Sequence, residues 1–227
     1  MLFYDSSIII LIPTLLFSLW AQVKVKSAFA RYKEVKSSMG YTGADAARAL
    51  LDSNGLSDIP IEVIEGNLTD HYDPGTKKMR LSKEVYYGTS IAAIGVAAHE
   101  TGHAIQDKEG YAPLKFRILM VPAVNLGQSF SWILFIIGIF MGLSPLVNFG
   151  IILFSAVVLF QLVTLPVELD ASRRAIKILQ GRSLLVGDEV YGAKKVLNAA
   201  ALTYVAAALT SIAQLLRLLV IANNRRN

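Results

Sequence analysis

Charged side chains are missing from three long stretches of the chain, residues 6–23, 118–167 and 196–216. The middle one, taken as a single helix, would be roughly 75 Å long at about 1.5 Å per residue, more than twice the thickness of a bilayer's hydrocarbon. It must fold back. Gly142, Ser144 and Pro145 supply the break, which predicts spans over 118–141 and 146–165 joined by a short turn. Arg117 and Glu168 then return to one side of the membrane. The last stretch is rich in alanine, and small residues let membrane helices approach closely, so it reads as a fourth span or, alternatively, an interfacial helix.

Between the first two apolar stretches the pattern becomes that of a small soluble portion. Thr42 and Asp45 form a capping box for a helix that Asn54-Gly55 ends. Residues 59–81 carry strand signal, with Ile61, Val63 and Ile64 in one piece and Asp73-Pro74-Gly75-Thr76 as a type II turn, so a hairpin is the simplest expectation. Ser90–Gln106 is helical, closed by Gly110. Pro166 in a first turn and Gly181 past the end frame a separate helix holding Glu168. The fold class expected is a mainly α integral membrane protein, three or four transmembrane helices with a small α+β portion.

Composition agrees. The 227 residues are 54% hydrophobic and 17% charged, against about 25% charged in an ordinary soluble domain. Disorder and low-complexity architectures are excluded. The absence of cysteine removes disulfides, thiolate metal sites and cysteine nucleophiles. A net charge of +5 is read as membrane topology rather than nucleic-acid binding. Lys24, Lys26, Arg31, Lys33 and Lys36 follow the first apolar run while only Asp5 precedes it, so the run is expected to be an uncleaved anchor with the amino terminus outside. The organisation expected is a transmembrane anchor at 6–23, a cytoplasmic catalytic portion at 24–117, a transmembrane hairpin at 118–165, a cytoplasmic helix at 166–195, and a fourth transmembrane or interfacial helix at 196–222.

The chemistry lies in His99-Glu100-Thr101-Gly102-His103. Histidines four apart on a helix share a face one turn apart, so both imidazoles can bind one Zn²⁺. Glu100, about 100° round the helix, can flank a water at the metal and act as general base and acid without ligating. A structural zinc site would be closed by four protein ligands, often thiolates, which this chain lacks. A catalytic site needs a third ligand. The metzincin pattern requires glycine and histidine where Gln106 and Glu109 stand, and is rejected. Asp107 shares the histidine face, but its Cα lies about 9 Å along the axis from their midpoint at about 1.5 Å per residue. Glu168, returned by the hairpin, is the better candidate, its alternative being an acid favoured in a helix's first turn. Asp170 points the other way and can pair with Arg174. His71, in the strand before the turn, is either structural or a donor to the tetrahedral oxyanion, a part for which Arg173 competes.

Leu68-Thr69-Asp70-His71-Tyr72-Asp73-Pro74, Arg80-Leu81-Ser82, Gly95-Val96-Ala97-Ala98-His99-Glu100 and Leu165-Pro166-Val167-Glu168-Leu169-Asp170-Ala171-Ser172-Arg173-Arg174-Ala175 resemble the membrane zinc metallopeptidases of the YugP family, nearly end to end. More distantly the chain is similar to the HtpX and CAAX-prenyl-protease gluzincins. That resemblance implies His99, His103 and Glu168 as zinc ligands, Glu100 as base, and peptide-bond hydrolysis. In the wider group an aspartate four residues after the third ligand supports a histidine ligand, and here that position is Ser172.

The function expected is a membrane-embedded zinc endopeptidase acting at the cytoplasmic membrane face on peptides or membrane-protein segments, with the lipid bilayer as its surroundings and no nucleic-acid partner. A substrate strand is expected to add to the open edge of the 59–82 hairpin. The alternative is a membrane adaptor or scaffold whose zinc is structural and inert. A transporter or channel would place ionisable groups inside its spans, and the middle stretch holds only Asn125, Gln128, Asn148 and Gln161 as large polar groups.

Overall fold

The computed structural model describes residues 6–224. After a 3₁₀ turn at Ser6–Leu11, the order is α1 (Ile12–Lys33), α2 (Gly43–Ser53), β1 (Ile61–Ile64), β2 (His71–Asp73), β3 (Lys78–Ser82), α3 (Lys83–Tyr86), α4 (Ile91–Lys108), α5 (Ala112–Met141), α6 (Ser144–Gly181) and α7 (Asp188–Asn224). The fold is mostly helical. Four helical segments, Ser7–Lys33, Ala112–Met141, Ser144–Gly181 and Asp188–Asn224, are long and apolar enough to cross a membrane. The chain divides into two compact units.

One unit comprises the described residues of 1–22, 112–166 and 203–227. Phe135 and Ile139 of α5, Val147, Phe154 and Val158 of α6, and Leu218 and Ala222 of α7 form its main apolar cluster. The expected break between α5 and α6 is present, and Gly142 takes a φ of +68° that a residue with a Cβ adopts only under strain.

The other unit comprises Val23–Tyr111 and Val167–Leu202. Its axis is α4. On one side Ala47 and Leu51 of α2, Met79 and Leu81 of β3, and Val85 pack on Ala93, Ala97 and Ala104. On the other, Ile94 and Ala98 meet Ala175 and Leu179 of α6 and Ala193 and Leu197 of α7. Alanine-rich faces let these helices come close, which fixes α4 between a sheet and two helices. The capping box at Thr42 and Asp45 forms as the residues predict.

Three expectations are corrected. The strand region is a three-stranded mixed sheet in the order β1-β3-β2, in which β2 and β3 make the antiparallel hairpin and β1 runs parallel to β3. The hairpin turn is not type II, because Gly75 does not take positive φ and Lys77 does, at +53°. Asp73 sets that geometry by accepting the backbone N–H groups of Gly75 and Thr76 and the Thr76 hydroxyl. Finally, Pro166 begins no new helix but lies inside a continuous α6. Its missing N–H leaves the Leu162 carbonyl without an intrahelical donor. Burial of Val167, Ala171, Ala175 and Leu179, all fully enclosed, outweighs that loss.

Candidate metal centre

The site is assembled by α4 and the second half of α6. Ser90 caps α4, its hydroxyl accepting from the Ala93 N–H at 3.2 Å. Along α6, Val167, Ala171 and Ala175 recur at helical spacing and are buried. Glu168 and Ser172 each follow one of these residues and so turn toward the histidines. The approach is close because residue 102 is glycine: a Cβ there would lie 2.6 Å from the Ala171 carbonyl oxygen.

His99 Nε2 stands 3.2 Å and His103 Nε2 3.4 Å from the same oxygen, Glu168 Oε2. One ligating atom from each of the three residues lies within 4.8 Å of the others. A tetrahedral ion about 2.0–2.1 Å from each ligand sets the ligand atoms roughly 3.3–3.4 Å apart. The spacing therefore fits zinc. Two neutral nitrogens and one carboxylate are a donor set suited to that metal, with one coordination position left for water or substrate. Glu100, 7% exposed, sits beside the pair, and its Oε2 accepts the backbone N–H of Tyr72 at 2.9 Å. That bond ties the glutamate to β2, an edge strand of the sheet.

Both imidazoles have partners on the side away from Glu168. Ser172 Oγ lies 3.2 Å from His99 Nδ1, and Gln106 Oε1 lies 3.0 Å from His103 Nδ1. The Gln106 amide donates to the Val167 carbonyl at 2.8 Å and to Asp170 Oδ2 at 2.9 Å. Asp170 in turn takes Arg174 Nε at 2.5 Å, and Arg174 Nη1 reaches Glu109 at 2.6 Å. Burial alone would lower the pKa of His103, but the Glu168 carboxylate outweighs it and holds the ring above its ordinary value.

The remaining sequence candidates are not part of the three-residue cluster. Asp107 accepts the Tyr72 hydroxyl at 2.7 Å and pairs with Lys77. His71 is exposed, its Nδ1 2.8 Å from the Thr69 carbonyl and its Nε2 3.4 Å from Arg80 Nη1. Arg173 is largely exposed, 4.0 Å from Asp170. Two residues of the site have no role in the sequence pattern. Gln106 enters it only as a position where the metzincin pattern wants glycine, although its i+3 spacing from His103 places it on that face. Gly102 stands between the two histidines with nothing local to mark it.

Residues 7–223 match the family described as "Putative neutral zinc metallopeptidase". The chain belongs to that family. It is also 51% identical over 220 residues to "Putative membrane protease YugP" of Bacillus subtilis (strain 168), a match covering 97% of this chain and 98% of the relative. No solved structure matches it. For a chain of the zinc metallopeptidase family, zinc is the cofactor, and the cluster of His99, His103 and Glu168 is suited to it. Four helices of membrane-crossing length and a relative named as a membrane protease agree that it is a membrane protein.

Proposed function

We propose that the chain is a gluzincin-like membrane zinc endopeptidase in which His99, His103 and Glu168 hold the metal and Glu100 moves the protons. The observation that carries this reading is the convergence of two Nε2 atoms on Glu168 Oε2, with a buried glutamate next in sequence to the first histidine. Zinc, when bound, supplies Lewis-acid polarisation of the scissile carbonyl and a water acidic enough to attack near neutral pH.

The side chains do the rest. Glu100 takes the proton of the attacking water and delivers it to the leaving amine. Its bond from the Tyr72 N–H keeps one carboxylate oxygen fixed, so the other carries the proton. The β2 edge beside Glu100 offers backbone groups to an extended substrate, which brings a peptide alongside the base. His71, with both ring nitrogens engaged, is left out of the proton chemistry.

On orientation, the positive-inside rule favours residues 24–117 and 166–195 in the cytoplasm, where they act on peptides or membrane-protein segments. The lysines and arginines after the first apolar run support that side.

Hydrolysis of an unfolded membrane-protein substrate by the purified, zinc-loaded protein tests the reading. Wild type should cleave. Glu100→Gln should lose about 10²–10⁴-fold in rate while keeping about one zinc per chain, because the ligands are untouched. Zinc binding with no cleavage by wild type would instead favour the adaptor reading.

A further inference from the structure

We infer that Gln106 is a positioning residue of the metal centre: its side-chain amide selects the His103 tautomer that presents Nε2 to zinc. This rests on the ligand assignment above. The inference follows from what each neighbour can do. Gln106 is fully buried, so solvent cannot satisfy or reorient its amide. The Val167 carbonyl oxygen is an acceptor only, and it lies 2.8 Å from Gln106 Nε2. Asp170 Oδ2, 2.9 Å from the same nitrogen, also receives Arg174 Nε and so is itself an acceptor. Both amide protons are therefore engaged, and rotating the amide by 180° would set its oxygen against two other oxygens. One orientation survives, with Oε1 toward His103 Nδ1 at 3.0 Å. A carbonyl oxygen can only accept, so Nδ1 must carry the hydrogen. In the neutral ring that leaves the Nε2 lone pair free on the side of Glu168, where a metal ligand needs it.

The arrangement differs from a carboxylate–histidine pair. The negative charge of Asp170 stands one residue behind the histidine, with a neutral amide between them. Ring orientation is fixed without a second carboxylate touching the ligand. Because Glu168 already supplies one negative charge at the metal, a neutral partner keeps the donor set from accumulating another.

Two substitutions in the full-length protein separate positioning from bulk stability. Gln106→Leu removes the acceptor and both donors. Gln106→Glu keeps an acceptor for Nδ1–H but loses both donors and sets a second carboxylate against Asp170. If Gln106 served only to hold the two helices, Gln106→Glu would be the worse variant in every measurement. Positioning gives opposite orders: Gln106→Glu should melt lower than Gln106→Leu when metal-free, yet bind zinc more tightly. Gln106→Leu should lose about 10–100-fold in zinc affinity relative to wild type. With the ring neutral in the metal-free protein, where no zinc fixes the tautomer, ¹⁵N shifts should place the His103 hydrogen on Nδ1 in wild type and Gln106→Glu and move it toward Nε2, beside Glu168, in Gln106→Leu. Zinc affinity within about twofold of wild type in Gln106→Leu, or a metal-free His103 that keeps its hydrogen on Nδ1 there, overturns the assignment. None of these readouts requires hydrolysis, so an inactive wild type would sink the peptidase reading and leave this one standing.

Discussion

The backbone carbonyl of Ala171 occupies the space that a side chain on Gly102 would fill, a hypothetical Cβ coming within 2.6 Å of the oxygen. Backbone cannot give way as a flexible side chain can. α4 and α6 are therefore held at a separation set by the absence of one methyl group, inside the motif that supplies both histidines.

Gly102→Ala should push α6 outward at Ala171 and withdraw Glu168 from the histidines. Overpacking of this kind costs about 1–3 kcal/mol. Thermal unfolding should show the loss, and zinc titration should show weaker binding although every ligand remains. Unchanged zinc affinity would mean that the helices separate without disturbing Glu168.

Glu168→Ala should yield protein that loses its zinc on gel filtration. Asp170→Ala should retain about one zinc per chain and melt at lower temperature, since it leaves Arg174 with Glu109 alone and one Gln106 proton unpaired. Metal analysis of both variants decides it. An empty Asp170→Ala beside a loaded Glu168→Ala would reverse the ligand assignment.

Proton competition gives a pH signature. With its pKa raised in the metal-free fold, His103 contributes stability that is present below its unfolded value of about 6.5 and lost as pH rises through the higher folded value. Zinc requires the neutral ring, so its affinity should decline as pH falls through that same raised value. In Glu168→Gln the largest raising cause is removed, and the decline should begin at lower pH, from a weaker plateau. Chelator competition across about pH 5.5–8.5 measures both; identical midpoints would contradict the coupling.

Single cysteines report topology, since the chain has none of its own. Cysteine at Ser53 or Ser183 should resist an impermeant thiol reagent in intact cells and react after permeabilisation. Cysteine at Ser144 should label from outside. Opposite behaviour of Ser53 and Ser183 is incompatible with Glu168 as a ligand, because the two positions belong to one compact unit.

Legibility followed the range of the interactions. Periodicity and charge located the apolar helices, the break at Gly142 and the histidine pair, all features written within one or two helical turns. The placement of Glu168 beside the histidine pair was reached through topology, by following the fold-back from Arg117. The strand order was not legible, because the parallel pairing of β1 with β3 arises from tertiary packing and cannot be announced by a tight turn between the two strands. The continuity of α6 across Pro166 was hidden for the same reason: local propensity favours a helix start there, and burial against α4 decides otherwise. Gly102 acts through Ala171 of α6, and Gln106 is oriented by Val167 and Asp170 of α6 before it meets His103, so the motif alone gives them no weight.

The order of the ligands along the chain has a consequence for biosynthesis. His99 and His103 are synthesised before α5, whereas Glu168 follows only after α5 and most of α6. At about 5–20 residues per second, the intervening segment takes roughly three to thirteen seconds to translate. Throughout that interval the nascent polypeptide carries the two histidines and Glu100 but lacks Glu168. On the proposed ligand set, a protease assembled this way would stay inert while it is being made and become competent only once its apolar hairpin had been handed to the membrane.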